Sequence, residues 1–300
     1  MNYKPIIIGT RGSALALKQT ESIRDALRTV NNTLNIDIKI IETQGDSDTR
    51  PIPPDEIGKG WFSKEIERGL QMGEIDLAVH SLKDLPEQLA EGLVIGAITE
   101  REDPRDVLVL KCHQSLKELP KGSVIGTDSI RRKVQLLSLR PDIIVESIRG
   151  NVPTRLEKLK NGHYDGVMLA AAGLHRLNLK GMITEYLNPE IITPAPGQGA
   201  LVVELNTENK ELAALVLRIN HEGTSREVRA ERSFSKAIGG GCKKPVGAYA
   251  FSQGNTLSLM GMLGFGGIVR DSINGSFDQA EEMGVRLAQQ LLEKVSHAEK

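Results

Sequence analysis

The stretch GGGCKKP, residues 239–245, combines a cysteine with neighbours that would change its reactivity. Three glycines precede Cys242, so the backbone can bend there without side-chain clashes. Two lysines follow it, and nearby positive charge favours the reactive thiolate form of a cysteine. A cysteine that only fills a core is expected in an apolar run, so Cys242 is a candidate for covalent chemistry.

The loop HSLKDLP, residues 80–86, places opposite charges side by side after an apolar strand pattern. In an open parallel sheet, a loop at the carboxyl end of a strand faces the ligand-binding crevice. Lys83 and Asp84 are therefore candidate site residues, because loops on rigid scaffolds often carry function. Taken alone, the two residues fit a solvated ion pair on a turn equally well.

Arginines recur at the ends of predicted strands and near the starts of predicted helices. The guanidinium group matches a carboxylate or phosphate with two parallel hydrogen bonds. Helix starts at Ser13 and Ser129 would add backbone N–H donors for anions. Each arginine alone is more simply a surface residue, but together they predict a cleft for a ligand with many carboxylates or phosphates. They are Arg11, Arg131, Arg132, Arg149, Arg155 and Arg176.

Nucleotide and metal sites are not indicated by the sequence. No phosphate-binding G-x-x-x-x-G-K-[ST] motif occurs, and the six histidines lack the spacing of metal ligands. Cys112 follows the apolar run VLVL, and we interpret it as a structural residue.

The elements that would position these residues alternate between strand and helix over most of the chain. This alternation predicts an α/β fold with mainly parallel sheets. We expect Ser13 and Ser129 to cap helices and Thr154 to start another. Residues 44–60 contain three prolines and predict a long loop, of a length that is usually either functional or disordered. After Val246, three strand patterns and one amphipathic helix predict a small antiparallel α+β module.

Composition narrows the class of protein. The 300 residues have a formal net charge of −1, which provides no strong field for nucleic acid or an anionic membrane. Aromatic residues make up only 3%, too few for base-stacking platforms. Two distant cysteines fit a reducing compartment, and no secretory or membrane-spanning segment is evident. We therefore expect a cytoplasmic protein.

Several motifs in a fixed order resemble the porphobilinogen deaminase family, also called the hydroxymethylbilane synthases. The resemblance covers nearly the whole chain and is most specific at VHSLKDLP, RGNVPTR and the loop GGGCKKPVGAYA. Further matching runs are GTRGSALAL, GKGWFSKEIE, GTDSIRR, LAAAGLHRL and TPAPGQGAL.

The resemblance implies a three-domain fold. Two domains would resemble periplasmic binding proteins with mainly parallel sheets, and a small C-terminal α+β domain would follow. The expected boundaries are 1–98 plus 195–218 for the first domain, 99–194 for the second and 219–300 for the third. The loop 44–60 would be a lid on the first domain.

The resemblance also implies a transferase of tetrapyrrole and haem biosynthesis. Four porphobilinogen molecules would be joined head to tail, each losing ammonia, and water would release hydroxymethylbilane. The chain would grow on a dipyrromethane cofactor held covalently by a thioether to Cys242. Members of the family usually act as monomers, and the small-molecule substrate would be the only partner, with no nucleic acid and no membrane.

Residue roles follow from the resemblance position by position. Asp84 matches the catalytic aspartate. The cofactor would be bound by Lys83, Thr127, Ser129, Arg131, Arg132 and Gln198. The substrate and the growing chain would be bound by Arg11, Ser13, Arg149, Arg155 and Arg176. Lys59 and Phe62 would belong to the lid, and no residue is expected to bind metal.

The sequence departs from the family pattern at a few positions. Gln44 and Asp55 stand where many members carry arginine and lysine. Lys243 and Lys244 stand where smaller or less charged residues are expected.

Two other classes of function remain compatible with the residues taken without the resemblance. An anion-binding receptor or effector domain would use the same arginines, but it would not need Cys242 or Asp84. A thiol enzyme would need a base beside Cys242 in space, which a linear sequence does not exclude. A free, alkylatable Cys242 would favour this second class.

Overall fold

The computed structural model describes residues 5–47, 61, 63–239 and 244–298 of the chain. Its strands are β1 (Ile6–Thr10), β2 (Ile36–Ile40), β3 (Leu77–Ser81), β4 (Leu93–Ile98), β5 (Asp106–Leu110), β6 (Val124–Gly126), β7 (Ile144–Glu146), β8 (Gly166–Ala170), β9 (Glu185–Tyr186), β10 (Leu201–Asn206), β11 (Val246–Gln253), β12 (Thr256–Leu263) and β13 (Val269–Gly275). Its α-helices are α1 (Ala14–Val30), α2 (Gln44–Ser47), α3 (Lys64–Gln71), α4 (Ile130–Leu139), α5 (Val152–Lys160), α6 (Ala171–Arg176), α7 (Lys210–Leu217), α8 (Glu222–Ala237) and α9 (Ala280–Ala298). Of the helices that the structure describes, none has the length and apolar character needed to cross a membrane.

The chain divides into two compact units. The first unit comprises Met1–Arg101 and Ala200–Ser225, and the second comprises Glu102–Gly199 and Arg226–Lys300. The small C-terminal module therefore belongs to the second unit by its contacts. The division into three domains at the boundaries given above stays a prediction.

The first unit is built on a five-stranded sheet with the order β2-β1-β3-β10-β4. β1 is parallel to both β2 and β3, whereas β10 runs antiparallel to β3 and β4. One face of the sheet packs on α1 and α7, with Ile23 and Leu27 buried. Ile66 and Leu70 of α3 are also buried in an apolar cluster against this sheet.

The second unit repeats this arrangement with the order β7-β6-β8-β5-β9. β6 is parallel to β7 and β8, and β5 runs antiparallel to β8 and β9. In each sheet the fourth strand in the order is the reversed one. The prediction of mainly parallel α/β sheets is confirmed, with one antiparallel strand in each sheet that the local pattern did not reveal.

The C-terminal module is an antiparallel sheet of β11, β12 and β13 covered by helices, as predicted. Alternate residues of β11 are fully buried, among them Ala248 and Ala250, which gives the period of two expected of a half-buried strand. They pack with Phe234 of α8 and with Leu287 and Leu291 of α9 in one apolar cluster.

Two local expectations were wrong. The helix expected to start at Thr154 is α5, whose N-cap is Asn151 with a side chain that accepts a hydrogen bond from Thr154 N at 3.0 Å. The region 44–60 is not all loop, because Gln44–Ser47 is the short helix α2. Lys59 and Phe62, which are predicted to belong to a lid, and the departure at Asp55 lie outside the described residues.

Neighbouring leucines on α9 provide a test of the C-terminal core. Leu291 is fully buried, whereas Leu292 is 41% exposed. We expect Leu291→Ala to lower the free energy of unfolding by about 2–5 kcal/mol, because it leaves a cavity. Leu292→Ala, the matched control, should change it by less than about 0.5 kcal/mol. Urea unfolding of both variants measures the difference, and equal effects would contradict this packing.

Candidate active site

A tight turn at the carboxyl end of β3 presents the predicted catalytic residue. Leu82–Asp84 form one turn of 3₁₀-helix directly after the strand. Leu82 and Leu85 are 1% and 4% exposed and anchor the turn in the core. Lys83 is half-buried and Asp84 is exposed, so the Asp84 carboxyl group is accessible to a ligand. Leu82 N also donates to Ala200 O at 3.0 Å, which ties the turn to the segment before β10.

The neighbouring strand β1 brings Arg11 and Ser13 to the same edge of the sheet. β1 and β3 are adjacent and parallel, so the residues that follow both strands lie at one edge, as expected. Ser13 caps α1, since its Oγ accepts a hydrogen bond from Ala16 N at 3.2 Å. The predicted cap and the predicted position of Arg11 are both confirmed.

Gln19 is a residue of this site that sequence reasoning missed. It is 5% exposed, and its Nε2 donates to Ser81 Oγ at 2.9 Å. The bond connects α1 to the last residue of β3, one turn before Asp84. Its only sequence signal is an amide in a helix stripe that continues with the apolar Ile23 and Leu27.

A buried carboxylate, Asp106, organises the second unit. It is the first residue of β5 and is fully buried. Arg131 Nη1 donates to Asp106 Oδ2 at 2.6 Å, and Arg132 Nε and Nη2 donate to Oδ1 at 3.0 and 2.7 Å. Gln198 Nε2 donates to the same Oδ1 at 2.9 Å. The structure therefore brings together three predicted cofactor-binding residues, around a fourth residue that sequence reasoning missed.

Both arginines also bind main-chain carbonyl groups. Arg131 Nη1 donates to Thr193 O at 2.6 Å, and Arg132 Nη1 donates to Met168 O at 3.0 Å. Their side chains are only 6% and 8% exposed. The guanidinium groups are therefore held in fixed positions by the protein itself.

The charges of Arg131 and Arg132 explain the protonation state of Asp106. Burial alone would raise the pKa of Asp106, but the positive charges and hydrogen bonds of Arg131 and Arg132 outweigh burial and hold that pKa well below its usual range. Asp106 is thus ionised at neutral pH. Two guanidinium groups around one carboxylate leave a net positive charge, which suits an anionic ligand.

The turn before α4 is ordered by its own hydroxyl groups. Thr127 Oγ1 accepts a hydrogen bond from Ser129 N at 3.2 Å, and Ser129 Oγ accepts one from Arg132 N at 3.4 Å. Ser129 is the N-cap of α4, as predicted. The capped helix start therefore adjoins the arginines bound to Asp106.

The three remaining arginines lie elsewhere in the second unit. Arg149 Nε is 3.8 Å from Asp128 Oδ2. Arg155 Nε donates to Gly150 O at 2.8 Å. Arg176 Nη2 donates to Gly199 O at 2.6 Å. Burial lowers the pKa of Arg176 to about 10, although Glu102 opposes the shift, so this side chain stays charged at neutral pH.

The segment APGQG carries Gln198 between two glycines with left-handed backbones. Gly197 and Gly199 have φ angles of 72° and 95°, a region that favours glycine. Gly197 N donates to the buried Glu231 Oε2 at 2.6 Å. This backbone directs the amide of Gln198 to Asp106.

The structure tests the prediction for one of the two cysteines but not for the other. Cys112 is exposed, so its interpretation as a structural residue was wrong: it lies on the turn after β5 instead of in the core. Cys242 and Lys243 lie outside the described residues. Lys244 Nζ donates to Ile238 O at 2.8 Å, where a cation suits the carboxyl end of α8.

In the part of the chain that the structure describes, no cluster of His, Cys, Asp or Glu could hold a metal ion.

Asp106→Asn tests the central role of this carboxylate. We expect the substitution to lower the free energy of unfolding by about 3–5 kcal/mol, because it leaves two buried guanidinium groups without their counter-charge. The pKa of Asp106 is lowered, so its stabilisation is present above the ordinary aspartate pKa and lost as pH falls through the lowered value.

Denaturant unfolding at neutral and acidic pH measures both effects. Asp142→Asn is the matched control, because Asp142 forms a similar two-bond pair with Arg140 at the surface. This surface pair should contribute much less to the free energy of unfolding than Asp106 does. An equal loss of stability in the two variants would refute the central role of Asp106.

Comparisons with known proteins agree with the motifs. Residues 6–214 match the family model "Porphobilinogen deaminase, dipyromethane cofactor binding domain", and residues 225–293 match "Porphobilinogen deaminase, C-terminal domain". The porphobilinogen deaminase of Thermus thermophilus is 45% identical over 293 residues, which are 96% of each chain. That of Alkaliphilus metalliredigens is 46% identical over 294 residues, which are 97% of this chain and 93% of the relative.

Among solved structures, a periplasmic substrate-binding protein of an ABC transporter from Coxiella burnetii aligns with a TM-score of 0.44 and 13% identity. The alignment covers 71% of this chain and 91% of that one. The family assignment depends on the sequence matches, which extend over nearly the full length. The chain belongs to the porphobilinogen deaminase family.

Proposed function

We propose that this protein joins four porphobilinogen molecules head to tail and releases hydroxymethylbilane, the step of tetrapyrrole biosynthesis that its family name implies. The observation that carries the proposal is the match to both family models, over residues 6–214 and 225–293. Each addition breaks the C–N bond of an aminomethyl group, and the nitrogen leaves as ammonia. The methylene carbon left behind is electron-poor, and it forms a C–C bond to a pyrrole carbon that then loses its proton.

The first family model names a dipyrromethane cofactor, and the donors of this chain fit such a group. A dipyrromethane made from two porphobilinogen units carries several carboxylates. The turn Thr127–Ser129 and the net positive charge around Asp106 are suited to bind carboxylates. When bound, this cofactor would supply the pyrrole carbon to which the first substrate is joined.

We assign the cofactor-binding role to six residues and the attachment point to a seventh. The cofactor carboxylates and backbone would be bound by Lys83, Thr127, Ser129, Arg131, Arg132 and Gln198. The covalent bond would be a thioether at Cys242. The fixed guanidinium groups support this assignment, because donors held in place need no reorganisation when a ligand binds.

Five further residues would bind the substrate and the growing chain. They are Arg11, Ser13, Arg149, Arg155 and Arg176. Each pyrrole unit adds an acetate and a propionate, so charge accumulates with every addition. Arginines that stay protonated throughout, as Arg176 does, suit such a ligand.

Asp84 is the proposed catalytic residue. A carboxyl group at this position can give a proton to the leaving amine, and its carboxylate can then stabilise the positive charge on the substrate. The exposed side chain on a turn with two buried leucine anchors supports this role, because the group is both accessible and fixed.

Intact-mass measurement of the purified protein tests the covalent cofactor. We expect an excess mass of two porphobilinogen units less two ammonias in the wild type, and none in Cys242→Ser. The matched control is Cys112→Ser, which removes the other cysteine and should keep the adduct. A wild-type protein that lacks the adduct even after incubation with porphobilinogen, with Cys242 free to be alkylated, would refute the proposal.

Turnover of Asp84→Asn tests the catalytic assignment. One charge interaction at about 4 Å with an effective dielectric constant near 20 is worth about 4 kcal/mol. We therefore expect kcat to fall about a thousandfold, with an unchanged circular dichroism spectrum. Glu91→Gln, at an exposed carboxylate of the same unit, should retain wild-type turnover. Full activity of Asp84→Asn would show that another group performs the proton transfer.

A further inference from the structure

Four buried polar side chains of the first unit form a group that the proposed reaction does not use. They are Ser63, Glu67, His80 and Glu204, which we call the carboxyl cluster. Glu204 is fully buried, Ser63 is 1% exposed, and Glu67 and His80 are each 8% exposed. Glutamates are almost never this buried without a partner, so the cluster requires a physical explanation.

Sheet register and helix spacing bring the cluster together. In the antiparallel pair of β3 and β10, His80 faces Val202 and Ala78 faces Glu204, so His80 and Glu204 share one face of the sheet. Their side chains meet, with His80 Nε2 and Glu204 Oε2 3.1 Å apart. Helix α3 packs on the sheet, and Ser63 and Glu67 are four residues apart on one side of its first turn.

Three oxygens of the cluster lack a hydrogen bond. Ser63 Oγ, Glu67 Oε1 and Glu204 Oε1 are buried without a partner among the described residues. A buried polar atom without a partner destabilises the folded protein, and an unpaired buried charge does so more strongly. Two carboxyl oxygens, Glu67 Oε1 and Glu204 Oε1, therefore lack a donor among the described residues.

The surrounding charges do not neutralise two carboxylates. The charged or titratable groups that face Glu67 are Glu204 from β10, His80 from β3 and Lys64 from α3 itself, whose side chain is exposed. The other strands against α3 are β1 (IIIGT) and β4 (LVIGAI), which contain no titratable residue. Burial and the charge of Glu204 raise the pKa of Glu67, and they outweigh the opposing effects of Ser63, His80 and Lys64.

We propose that Glu67 is protonated in the folded protein, and that this neutral group, beside the Glu204–His80 pair, helps to hold the Ser81–Asp84 turn in place. The proton on Glu67 gives the cluster a further hydrogen-bond donor and removes one of two buried negative charges. His80 is the residue before Ser81, so an imidazole fixed by Glu204 fixes the start of the turn. Glu67 and Glu204 are then positioning residues. This inference rests on the proposed catalytic role of Asp84 for its functional part only.

The proposal predicts the direction of a pH effect. A group whose pKa is raised by folding contributes stability that is complete below its unfolded pKa and is lost as pH rises through its folded pKa. The first unit should therefore lose stability as pH rises above the ordinary range of glutamate. In Glu67→Gln, a neutral amide replaces the protonated acid, so this loss should disappear.

Infrared spectroscopy of the full chain tests the protonation of Glu67 without any assay of activity. At pH 7 we expect the carbonyl band of one buried protonated carboxyl group in the wild type. The band should be absent from Glu67→Gln and present in the control Glu74→Gln, at an exposed glutamate after the same helix. A wild type without this band at pH 7 would overturn the proposal, whatever its turnover.

Steady-state kinetics tests the positioning role. We expect Glu67→Ala to lower kcat at least tenfold with little change in KM, because Glu67 does not touch the substrate. Glu67→Gln should restore kcat to within about threefold of wild type, since it keeps shape and neutrality. A glutamine variant as impaired as the alanine variant would overturn the positioning role.

If Glu67→Ala does not fold, the turnover of Glu67→Gln and the infrared band of the wild type still test the proposal. A wild type that shows the protonated carboxyl band but no porphobilinogen turnover would refute the proposed function while leaving the protonation of Glu67 established.

Discussion

The bond network of Asp106 is the interaction on which the second unit depends. A carboxylate at the first position of β5 accepts hydrogen bonds from Arg131, Arg132 and Gln198. The three donors come from α4 and from the APGQG segment, so one buried residue connects β5 to two other parts of the chain. Burying a carboxylate with two guanidinium groups is costly, and it is favourable only when hydrogen bonds satisfy each group. Here Thr193 O and Met168 O accept the further hydrogen bonds of the two arginines.

The same network extends into the C-terminal module. Thr193 O also accepts from Gln135 Nε2 at 3.1 Å, and Gln135 Oε1 accepts from Arg270 Nη2 of β13 at 3.1 Å. Glu231 of α8 accepts from Gly197 N and from Ala250 N of β11, at 2.6 and 2.7 Å. These bonds explain why residues 226–300 belong to the same compact unit as residues 102–199.

Local signals in the sequence predicted local structure well. Ser13 and Ser129 were recognisable as caps because a short hydroxyl side chain just before a helical pattern commonly accepts a hydrogen bond from a free N–H group of the first turn. Arg11 and Lys83 were placed at strand ends because a parallel sheet gathers such ends at one edge. The cap of α5 was missed because Asn151 and Thr154 are both capable cap residues, and only the observed hydrogen bond identifies Asn151.

Long-range pairing was beyond the reach of such signals. Asp106 stands in the charged run REDPRD, where nothing local distinguishes a buried carboxylate from a solvated one. Its partners are at positions 131, 132 and 198, far along the chain. The antiparallel direction of β5 and β10 was missed for the same reason. The direction of a strand depends on neighbours that are distant in sequence, and the apolar pattern of a strand is the same in either direction.

Three carboxyl environments show how one kind of side chain serves different purposes. Asp84 is exposed on a fixed turn, where a carboxyl group is accessible to a ligand. Asp106 is buried between two arginines, which keep it ionised and make it a structural anion. Glu67 is buried against another acid without such cations, and this arrangement favours its neutral form. The surroundings that folding creates, more than residue type, therefore determine which carboxyl groups are available for chemistry.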